Sequence, residues 1–322
     1  MIPCTLPQSS GSLPWLKGQL HLHTTRSDGE QIPAEVVRDY ERLGYDFIVF
    51  TDHNEIPASE DLKTPTTMVL ISGCEYRGAG NVPEIGISGI TTKLPQEKGL
   101  PDNVDLAAAH GQFLVFNHPN WHIHHWPIEW LFRIAGKGHA VEIYNAAIEE
   151  LQGPAESTDV WDRLLSSGFR LGAVAGDDAH TYEHRNKAWV MVNAERSEAA
   201  ILDALRKGHF YASTGVHVSP IEVTNGELIF SSPNAQEIRV YAERNQMRAR
   251  VVGNRLAYAP RIDDVFVRAE IYGFDKGLIR AWTSPVYVET PESMKRADGF
   301  RKWYLNQVNN PKDKLGETYF SL

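Results

Sequence analysis

Histidines and carboxylates recur in this sequence at the ends of short apolar runs, where they could bind metal ions. His21 and His23 close the first run, and Asp28 follows five residues later. Alternate residues of a strand point to the same face, so two imidazoles at this spacing can bind one ion. Imidazole and carboxylate are donors that divalent transition metals prefer, and the sequence offers neither a thiolate cluster nor a glycine-rich phosphate loop. The first motif therefore indicates a metal site.

Six further residues of these two chemical types stand at the ends of later apolar runs: Asp52, His53, Glu75, His118, Asp178 and His180. In α/β barrels the carboxyl ends of the strands and the loops after them build the active site, so residues at these positions can converge. A single histidine in an apolar run is more often a hydrogen-bonded core residue than a ligand. Five histidines and three acids at strand ends together favour a metal centre over separate core roles.

Two aspartates near these motifs have a second interpretation. Asp52 could face away from the site and orient a ligand, or cap the next helix, and we favour these roles over direct ligation. Asp177 and Asp178 cannot both point into one pocket from a regular strand, so the role of Asp177 stays open.

Strands and helices alternate through the first two thirds of the chain, and they must position these residues. The run 46–54 is continuously apolar until its polar end, as expected of a strand buried on both faces of a parallel sheet. Apolar residues at helical spacing over 33–45 precede it, which predicts a β-α-β unit. Seven strands are predicted in all, within the segments 17–29, 46–54, 67–77, 81–90, 105–119, 139–146 and 160–180.

The pattern changes in the last third of the chain. Short alternating runs from about Ser219 to Thr290 predict a small antiparallel β module. We therefore expect a barrel domain over 1–218, the β module over 219–290, and a polar tail over 291–322 that packs back on the rest.

Composition excludes several classes of function. The chain has 322 residues, of which 42% are hydrophobic and 23% charged, and its net charge is −9, which fits a folded protein with a sizeable core. Without a run rich in lysine and arginine, we expect neither a nucleic-acid groove nor an anionic membrane surface as partner. Only Cys4 and Cys74 are present, the start lacks the pattern of a signal peptide, and no apolar run could span a membrane. We therefore expect a cytoplasmic protein with a small-molecule partner; the oligomeric state stays open.

Five motifs taken together resemble the polymerase and histidinol phosphatase (PHP) superfamily: HLHTTRSDG, FTDHN, GCEYRGAGN, FNHP and GDDAH. The resemblance covers about residues 18–215. It implies an α/β fold with a distorted (β/α)7 barrel that holds two or three divalent ions, usually Mn, Fe or Zn. Most characterised free-standing members hydrolyse phosphate esters. The later segments ALRKGHFYASTG and DKGLIRAWTSPVYV are more similar to the carbaryl-hydrolase-type branch than to the polymerase branch.

The resemblance also implies a set of metal ligands. One ion would be bound by the first pair of histidines with a glutamate and an aspartate, namely His21, His23, Glu75 and Asp178. A second ion would share Glu75 and add His118. A third would be bound by Asp28, His53 and His180.

One position departs from the pattern of the family branch. Where the branch often has a Gly-His pair before the fourth strand, this chain has Asn81, whose amide oxygen is a poorer ligand for a transition metal. Either the second site is weak or empty, or Glu84 or a nearby histidine replaces the missing imidazole. The cluster NHPNWHIHHW offers three candidates, which could instead be an exposed loop with aromatic cover: His122, His124 and His125.

The resemblance and the donor set together predict a metal-dependent phosphoesterase. A metal-bound hydroxide would attack a small phosphate mono- or diester, and His53 or His180 would protonate the leaving oxygen, with Asp178 in the same catalytic group. Three arginines near strand ends are candidates for binding phosphate, and each could instead form a structural ion pair: Arg26, Arg77 and Arg185. The alternatives are a carboxylic or carbamate ester hydrolase and a metal-stabilised module without catalysis.

Overall fold

The protein, described here from a computed structural model, has a mixed α/β fold. The structure describes residues 2–7, 13–80 and 83–309. Within these ranges, eleven strands precede residue 214: β1 (Cys4–Thr5), β2 (Trp15–Gln19), β3 (Phe47–Val49), β4 (Val69–Ile71), β5 (Gly73–Tyr76), β6 (Ile85–Ser88), β7 (Phe113–Phe116), β8 (Ala140–Asn145), β9 (Gly172–Gly176), β10 (Trp189–Asn193) and β11 (Phe210–Ser213).

Eight further strands and one long helix form the rest of the described chain. The strands are β12 (Glu222–Thr224), β13 (Glu227–Ser231), β14 (Glu237–Ala242), β15 (Gln246–Val252), β16 (Arg255–Tyr258), β17 (Phe266–Phe274), β18 (Leu278–Thr283) and β19 (Val286–Val288). The α-helices of the whole described chain are α1 (Pro33–Arg42), α2 (Asp102–His110), α3 (Ile128–Ile134), α4 (Ala146–Glu150), α5 (Thr158–Ser166), α6 (Glu198–Arg206) and α7 (Pro291–Asn309).

Each of the seven predicted strand segments overlaps at least one observed strand. Strands β2, β3 and β4 pair in parallel in one sheet, and β7, β8 and β9 pair in parallel in another. Strand β6 differs, because it runs antiparallel to both β5 and β7. The connection over 77–84 is too short for the crossover that parallel pairing of β5 and β6 would need.

Two single bridges join these two sheets at the positions of the predicted ligands. Leu22 pairs in parallel with Ala179, and His53 pairs in parallel with Glu75. The regular part of β2 ends at Gln19, so the first two histidines lie just beyond the strand and not on it as predicted. The bridges nevertheless connect the residues just beyond β2 and β9, and the residue His53 beyond β3 with Glu75 of β5. They therefore bring the ends of β2, β3, β5 and β9 together.

Helix α1 illustrates how the core fixes these strand ends. Its buried residues follow helical spacing, as predicted, and Pro33 starts the helix, where its missing N–H costs nothing. Val36, Val37 and Tyr40 pack in one cluster with Leu22, between the two first histidines, and with Phe50. Burial of the apolar residue between the histidines therefore turns both imidazoles to the opposite side.

The last third of the chain is antiparallel, as predicted, but it continues the first sheet. Strand β17 pairs with β14, β18 and β19, and β18 pairs with β11, so hydrogen bonds cross the predicted domain boundary at residue 218. Residues 291–309, expected to be part of a polar tail, form α7, whose Ala297 is buried in the main core. Residues 310–322 lie outside the described residues, and the division into three domains stays a prediction.

Among the described residues, no helix is both long enough and apolar enough to span a membrane.

Candidate metal centre

Glu75 lies at the centre of a buried cluster of histidines. One carboxylate oxygen, Oε1, lies 3.1 Å from Nε2 of His21 and 3.1 Å from Nε2 of His118. The other, Oε2, lies 3.4 Å from Nε2 of His23 and 3.1 Å from Nδ1 of His53. One carboxylate thus contacts four imidazoles, all of them predicted ligands.

Asp178, which lies just beyond β9, contacts His21 and His23. Its Oδ1 lies 3.2 Å from Nε2 of His21 and 3.0 Å from Nε2 of His23. Asp178 has a φ of +50° and His118 a φ of +28°, a left-handed region that costs non-glycine residues about 1–3 kcal/mol. The fold therefore maintains backbone strain at two of the predicted ligands, as proteins do at functional sites.

A second group of donors lies on the more exposed side of the cluster. The carboxylate of Asp28 lies 3.4 Å from Nε2 of His53 and 3.4 Å from Nε2 of His180, and 3.6 Å from Nδ1 of His23. Nδ1 of His180 donates to the backbone carbonyl of Asp178 at 2.8 Å, which turns Nε2 toward Asp28. His23 therefore contacts both groups, and all eight predicted ligands lie in one continuous cluster.

Glu84 extends this cluster on the side of the second predicted site. It is buried, and its carboxylate lies 3.5 Å from Nε2 of His118 and 3.6 Å from Nδ1 of His53. The sequence offered Glu84 only as one of several replacements for the imidazole missing at Asn81. Asn81 itself lies outside the described residues.

The sequence did not identify Glu142, which contacts the ring nitrogen of His21 that faces away from Glu75. Its Oε1 accepts a hydrogen bond from Nδ1 of His21 at 2.8 Å, and its Oε2 accepts from the backbone N–H of His118 at 2.9 Å. A carboxylate behind a metal-binding histidine fixes the orientation of the ring and raises its basicity. Glu142 could have been found because it is an acidic residue in the middle of the apolar run AVEIYNA, and a buried charge requires a partner.

Two asparagines, also missed, fix the carboxylates of the cluster. Nδ2 of Asn117 donates to Oε1 of Glu75 at 2.7 Å, and Nδ2 of Asn145 donates to both Glu142 and Asp178 at 3.1 Å. Both asparagines are buried and both stand at the ends of apolar runs, so the rule used for the acids and histidines could have found them.

The two ambiguous aspartates have structural roles. Asp52 accepts hydrogen bonds from the backbone N–H groups of Thr24 and Ser27 and from both hydroxyls, so it orders the loop between two ligands. Asp177 accepts from the backbone of 186–188 and from the hydroxyl of Tyr40. Asp177 therefore faces away from Asp178, as the strand geometry requires.

The three arginine candidates lie in different surroundings. NH1 of Arg77 lies 3.0 Å from Nε2 of His124 and 3.6 Å from Oε1 of Glu84, beside the cluster. Arg26 instead makes a two-pronged ion pair with Asp61 at 3.0 Å. Arg185 is buried against Asp39 and above the rings of Tyr40 and Tyr182. Arg26 and Arg185 thus form the structural ion pairs that the sequence had left as their alternative role.

The loop histidines also differ from one another. His124 lies against the edge of Trp121, whose ring also contacts His118, with centroid distances of 5.4 Å and 5.1 Å. His122 and His125 are exposed. Trp126 is buried, so the expected aromatic cover is present beside an exposed loop.

Within the cluster, the carboxylates favour protonated histidines, and the histidines favour ionised carboxylates. Burial lowers the pKa of His23, but the nearby carboxylates of Asp178 and Glu75 outweigh burial and raise this pKa to about 10. Burial also lowers the pKa of His118, but its hydrogen bond to Glu75 and the charge of that carboxylate outweigh burial and raise this pKa to about 9. Burial raises the pKa of Glu75, yet His21 and its neighbours hold it well below the usual value. Without a metal, protons therefore occupy the space between these donors.

The donor set fits divalent transition metals. Among the residues that the structure describes, four sets of three or four donor atoms lie within 4.8 Å of one another: His21, His23, Glu75 and Asp178; His23, Asp28, His53 and His180; His21, His118 and Glu142; and His53, Glu75 and Glu84. Several buried donor atoms lack a hydrogen-bond partner, among them Nε2 of His21, Nε2 of His23 and Oδ1 of Asp178. Unpartnered buried donors are costly unless an ion satisfies them, so the residues present fit the implied metal.

Metal binding to this cluster should release protons. His23 and His118 are protonated at pH 7 in the metal-free protein, because their pKa values of about 10 and 9 lie above that pH. A metal requires neutral imidazole, so we expect release of about one proton or more per chain, and an affinity that rises with pH up to these values. Calorimetric titration in buffers of different ionisation enthalpy measures this number. His139→Asn, outside the cluster, should leave it unchanged, and a heat independent of buffer would contradict the expectation.

Fold and site together define a mixed α/β protein with a buried centre suited to divalent metal ions. No family model matches the chain, and the search of curated proteins finds no match. One similar solved structure is a two-domain protein from Bacteroides vulgatus ATCC 8482, described as containing a predicted PHP-like metal-dependent phosphoesterase. It is 19% identical, the match covers 85% of this chain and 95% of that one, and the TM-score is 0.49.

Two further solved structures match about half of the chain. A protein from Bifidobacterium adolescentis ATCC 15703, described as a candidate metal-dependent phosphoesterase, is 14% identical over 52% of this chain and 89% of its own, with a TM-score of 0.35. An amidohydrolase from Chromobacterium violaceum, with bound sulfate and no metal, is 15% identical over 51% of this chain and 87% of its own, with a TM-score of 0.37.

Proposed function

We propose that this protein is a metal-dependent hydrolase of the PHP superfamily that cleaves a small phosphate mono- or diester. The observation that carries the proposal is the contact of one buried carboxylate, Glu75, with four histidines of separate motifs. Isolated core histidines would each need only one partner. A shared carboxylate among several imidazoles instead fits a centre that binds more than one ion.

Divalent ions bound here would polarise an ester and make water nucleophilic near neutral pH. The protein's own residues divide into a rigid and an accessible part. The side chains of His21, His23 and His118 are at most 2% exposed, whereas those of His53 and His180 are 27% and 28% exposed. We assign transfer of a proton to the leaving oxygen to whichever of His53 and His180 is not bound to an ion, because a substrate can reach both.

We propose that the supporting framework is the distorted (β/α)7 barrel implied by the resemblance. Seven strand segments, with β4 and β5 counted as one, follow the order of such a barrel, and the bridges Leu22–Ala179 and His53–Glu75 join the two sheets at both seams. We propose that these bridges mark a distorted barrel, with the cluster at the carboxyl ends of its strands.

Arg77 is the guanidinium best placed to bind the phosphate of a substrate. It lies beside Glu84 and is 36% exposed, so its remaining donors can face an incoming anion. Replacing Arg77 with methionine should lower kcat/KM for a phosphate ester by about 10- to 100-fold, since a hydrogen bond to a charged group contributes about 1.5–3 kcal/mol. Steady-state kinetics measure this loss, and Arg133→Met, on α3, is the matched control. Equal kinetics of the Arg77 variant and wild type would remove this role.

Hydrolysis of a carboxylic or carbamate ester is the second candidate. One observation favours it: of the three arginines proposed for phosphate, Arg26 and Arg185 are bound by Asp61 and Asp39. An acidic cluster with one accessible guanidinium suits a neutral ester better than a doubly charged phosphate. The resemblance to the carbaryl-hydrolase-type branch points the same way.

A direct comparison of substrates separates the two candidates. Protein stripped of metal and reloaded with Mn²⁺ or Zn²⁺ would be assayed with p-nitrophenyl phosphate, bis-p-nitrophenyl phosphate and p-nitrophenyl acetate. We expect metal-dependent turnover that favours a phosphate ester over the acetate. Preference for the acetate supports the second candidate, and no turnover despite bound metal would favour a metal-stabilised module without catalysis.

A further inference from the structure

We propose that Glu84 replaces the missing imidazole as a ligand of the second metal site, and that its oxygen donor shifts this site toward Mn²⁺ over Zn²⁺. The inference rests on the metal centre of the proposed function and adds a residue and a metal class to it. It concerns the side of the cluster bounded by Glu75, His118 and His53.

The backbone around Glu84 directs its side chain into the cluster. Glu84 directly precedes β6, and its carbonyl accepts hydrogen bonds from the backbone N–H of Asn117 at 3.2 Å and from Nε1 of Trp126 at 3.3 Å. The residue is 1% exposed. Its two oxygens lie 3.5 Å from His118 and 3.6 Å from His53, the imidazoles that also contact Glu75.

The two carboxylates of this region need a cation once the imidazoles beside them are neutral. Glu75 and Glu84 are both buried, both contact the same two histidines, and Oε1 of Glu84 has no hydrogen-bond partner. The guanidinium of Arg77 lies 3.6 Å from that oxygen, but its hydrogen bond goes to His124. Burying two carboxylates side by side is costly without a strong cationic partner, and a divalent ion among these donors provides one.

The loop histidines are weaker candidates for the same place. Nε2 of His124 lies 4.0 Å from Glu84 but 3.0 Å from the guanidinium of Arg77, so this nitrogen faces an arginine. His122 and His125 are exposed. Of the replacements that the sequence left open, Glu84 is the one in contact with two predicted ligands.

The donor set of this site then differs from that of the first site. The second site would have two carboxylates and one imidazole, from Glu75, Glu84 and His118. The first site has two carboxylates and two imidazoles, so oxygen makes up a larger share of the donors at the second site. Carboxylate ligands suit Mn²⁺, whereas imidazole suits Zn²⁺ and Fe²⁺. The structure therefore assigns a comparative preference for Mn²⁺ to the second site, within the general order that favours Zn²⁺ overall.

Metal titration of three variants tests the assignment without an activity assay. Metal-stripped wild type, Glu84→Gln and Glu84→His would each be titrated with Mn²⁺ alone and with Zn²⁺ alone, and bound ions counted by equilibrium dialysis and elemental analysis. Glu84→Gln should retain the first Mn²⁺ step and weaken the next by about tenfold or more. Glu84→His should regain that step with a Zn²⁺ to Mn²⁺ affinity ratio about tenfold higher than in wild type. Glu97→Gln, an exposed glutamate, is the control and should match wild type.

The outcomes distinguish this proposal from the proposed function. If Glu84→Gln binds as many Mn²⁺ ions as wild type with equal affinity, Glu84 is not a ligand, although the metal centre stands. If Glu84→Gln fails to fold, Glu84→His decides, because an unchanged Zn²⁺ to Mn²⁺ ratio overturns the proposal. If wild type binds neither metal, the proposed function fails, and the ligand assignment fails with it.

Discussion

Replacing Glu75 with glutamine should remove most of the bound metal and nearly all hydrolytic activity. Its two oxygens contact four imidazoles, so the change affects every donor set that shares them. An amide keeps the shape but loses the negative charge and one acceptor oxygen. We expect metal affinity to fall by at least about 100-fold, more than for the loss of a residue that only orients a ligand.

Elemental analysis of the purified variant and its rate with bis-p-nitrophenyl phosphate measure both effects. Glu97→Gln, exposed on the surface, should retain wild-type metal content and rate. A Glu75 variant that keeps its full complement of metal would show that this carboxylate is not a shared ligand, and the proposed centre would be wrong.

The same substitution should destabilise the metal-free protein in a pH-dependent manner. At pH 7 the pKa of His23, raised to about 10, keeps this buried imidazole charged, and removal of one partner carboxylate costs about 3–5 kcal/mol. The stabilisation from a raised histidine pKa is fully present below the unfolded value of about 6.5 and is lost as pH rises through about 10. Urea unfolding of both proteins should therefore show a smaller difference at pH 10 than at pH 7.

Residue type and position predicted the composition of the cluster, because the cluster is built from strand ends. His21, Glu75 and Asp178 each follow an apolar run, and buried strands bring their ends to one edge. The same logic could not fix the direction of side chains on loops. Arg26 and Arg185 stand within five residues of a predicted ligand in sequence, yet Asp61 and Asp39 determine where their guanidinium groups point.

Other features depend on tertiary contacts that no local pattern carries. The polar sequence of helix α7 predicted only a tail that packs back, whereas its course depends on a few apolar residues, such as Ala297 and Tyr304, that contact the main core. The positive φ of His118 and Asp178 is equally invisible, since neither residue type requires it and only the surrounding structure maintains it. Glu142 contacts His21 across 121 residues of sequence.

The surroundings of Glu142 tolerate neither a larger residue at Gly176 nor an amide in place of the carboxylate. A Cβ atom on Gly176 would lie 2.7 Å from Oε1 of Glu142 and 3.0 Å from Cβ of His21, so only glycine lets these two side chains meet beside β9. Three donors face the two oxygens of Glu142: Nδ1–H of His21, the N–H of His118 and Nδ2–H of Asn145. A glutamine here would turn an NH₂ group toward at least one donor.

Replacing Glu142 with glutamine should therefore weaken metal binding although Glu142 lies behind the proposed ligands. The amide must break its contact with either His21 or the backbone of His118, and it no longer raises the basicity of His21. Loss of such an orienting carboxylate costs about 10- to 100-fold in metal affinity, less than the loss of Glu75. Titration of metal-stripped protein with Mn²⁺ measures the change, with Glu150→Gln on α4 as the exposed control. Because Glu142 also raises the pKa of His21, its loss reduces the competition of protons with the metal, so the deficit relative to wild type should be smaller at pH 6 than at pH 9. An affinity equal to wild type across pH 6–9 would show that Glu142 stabilises the fold alone.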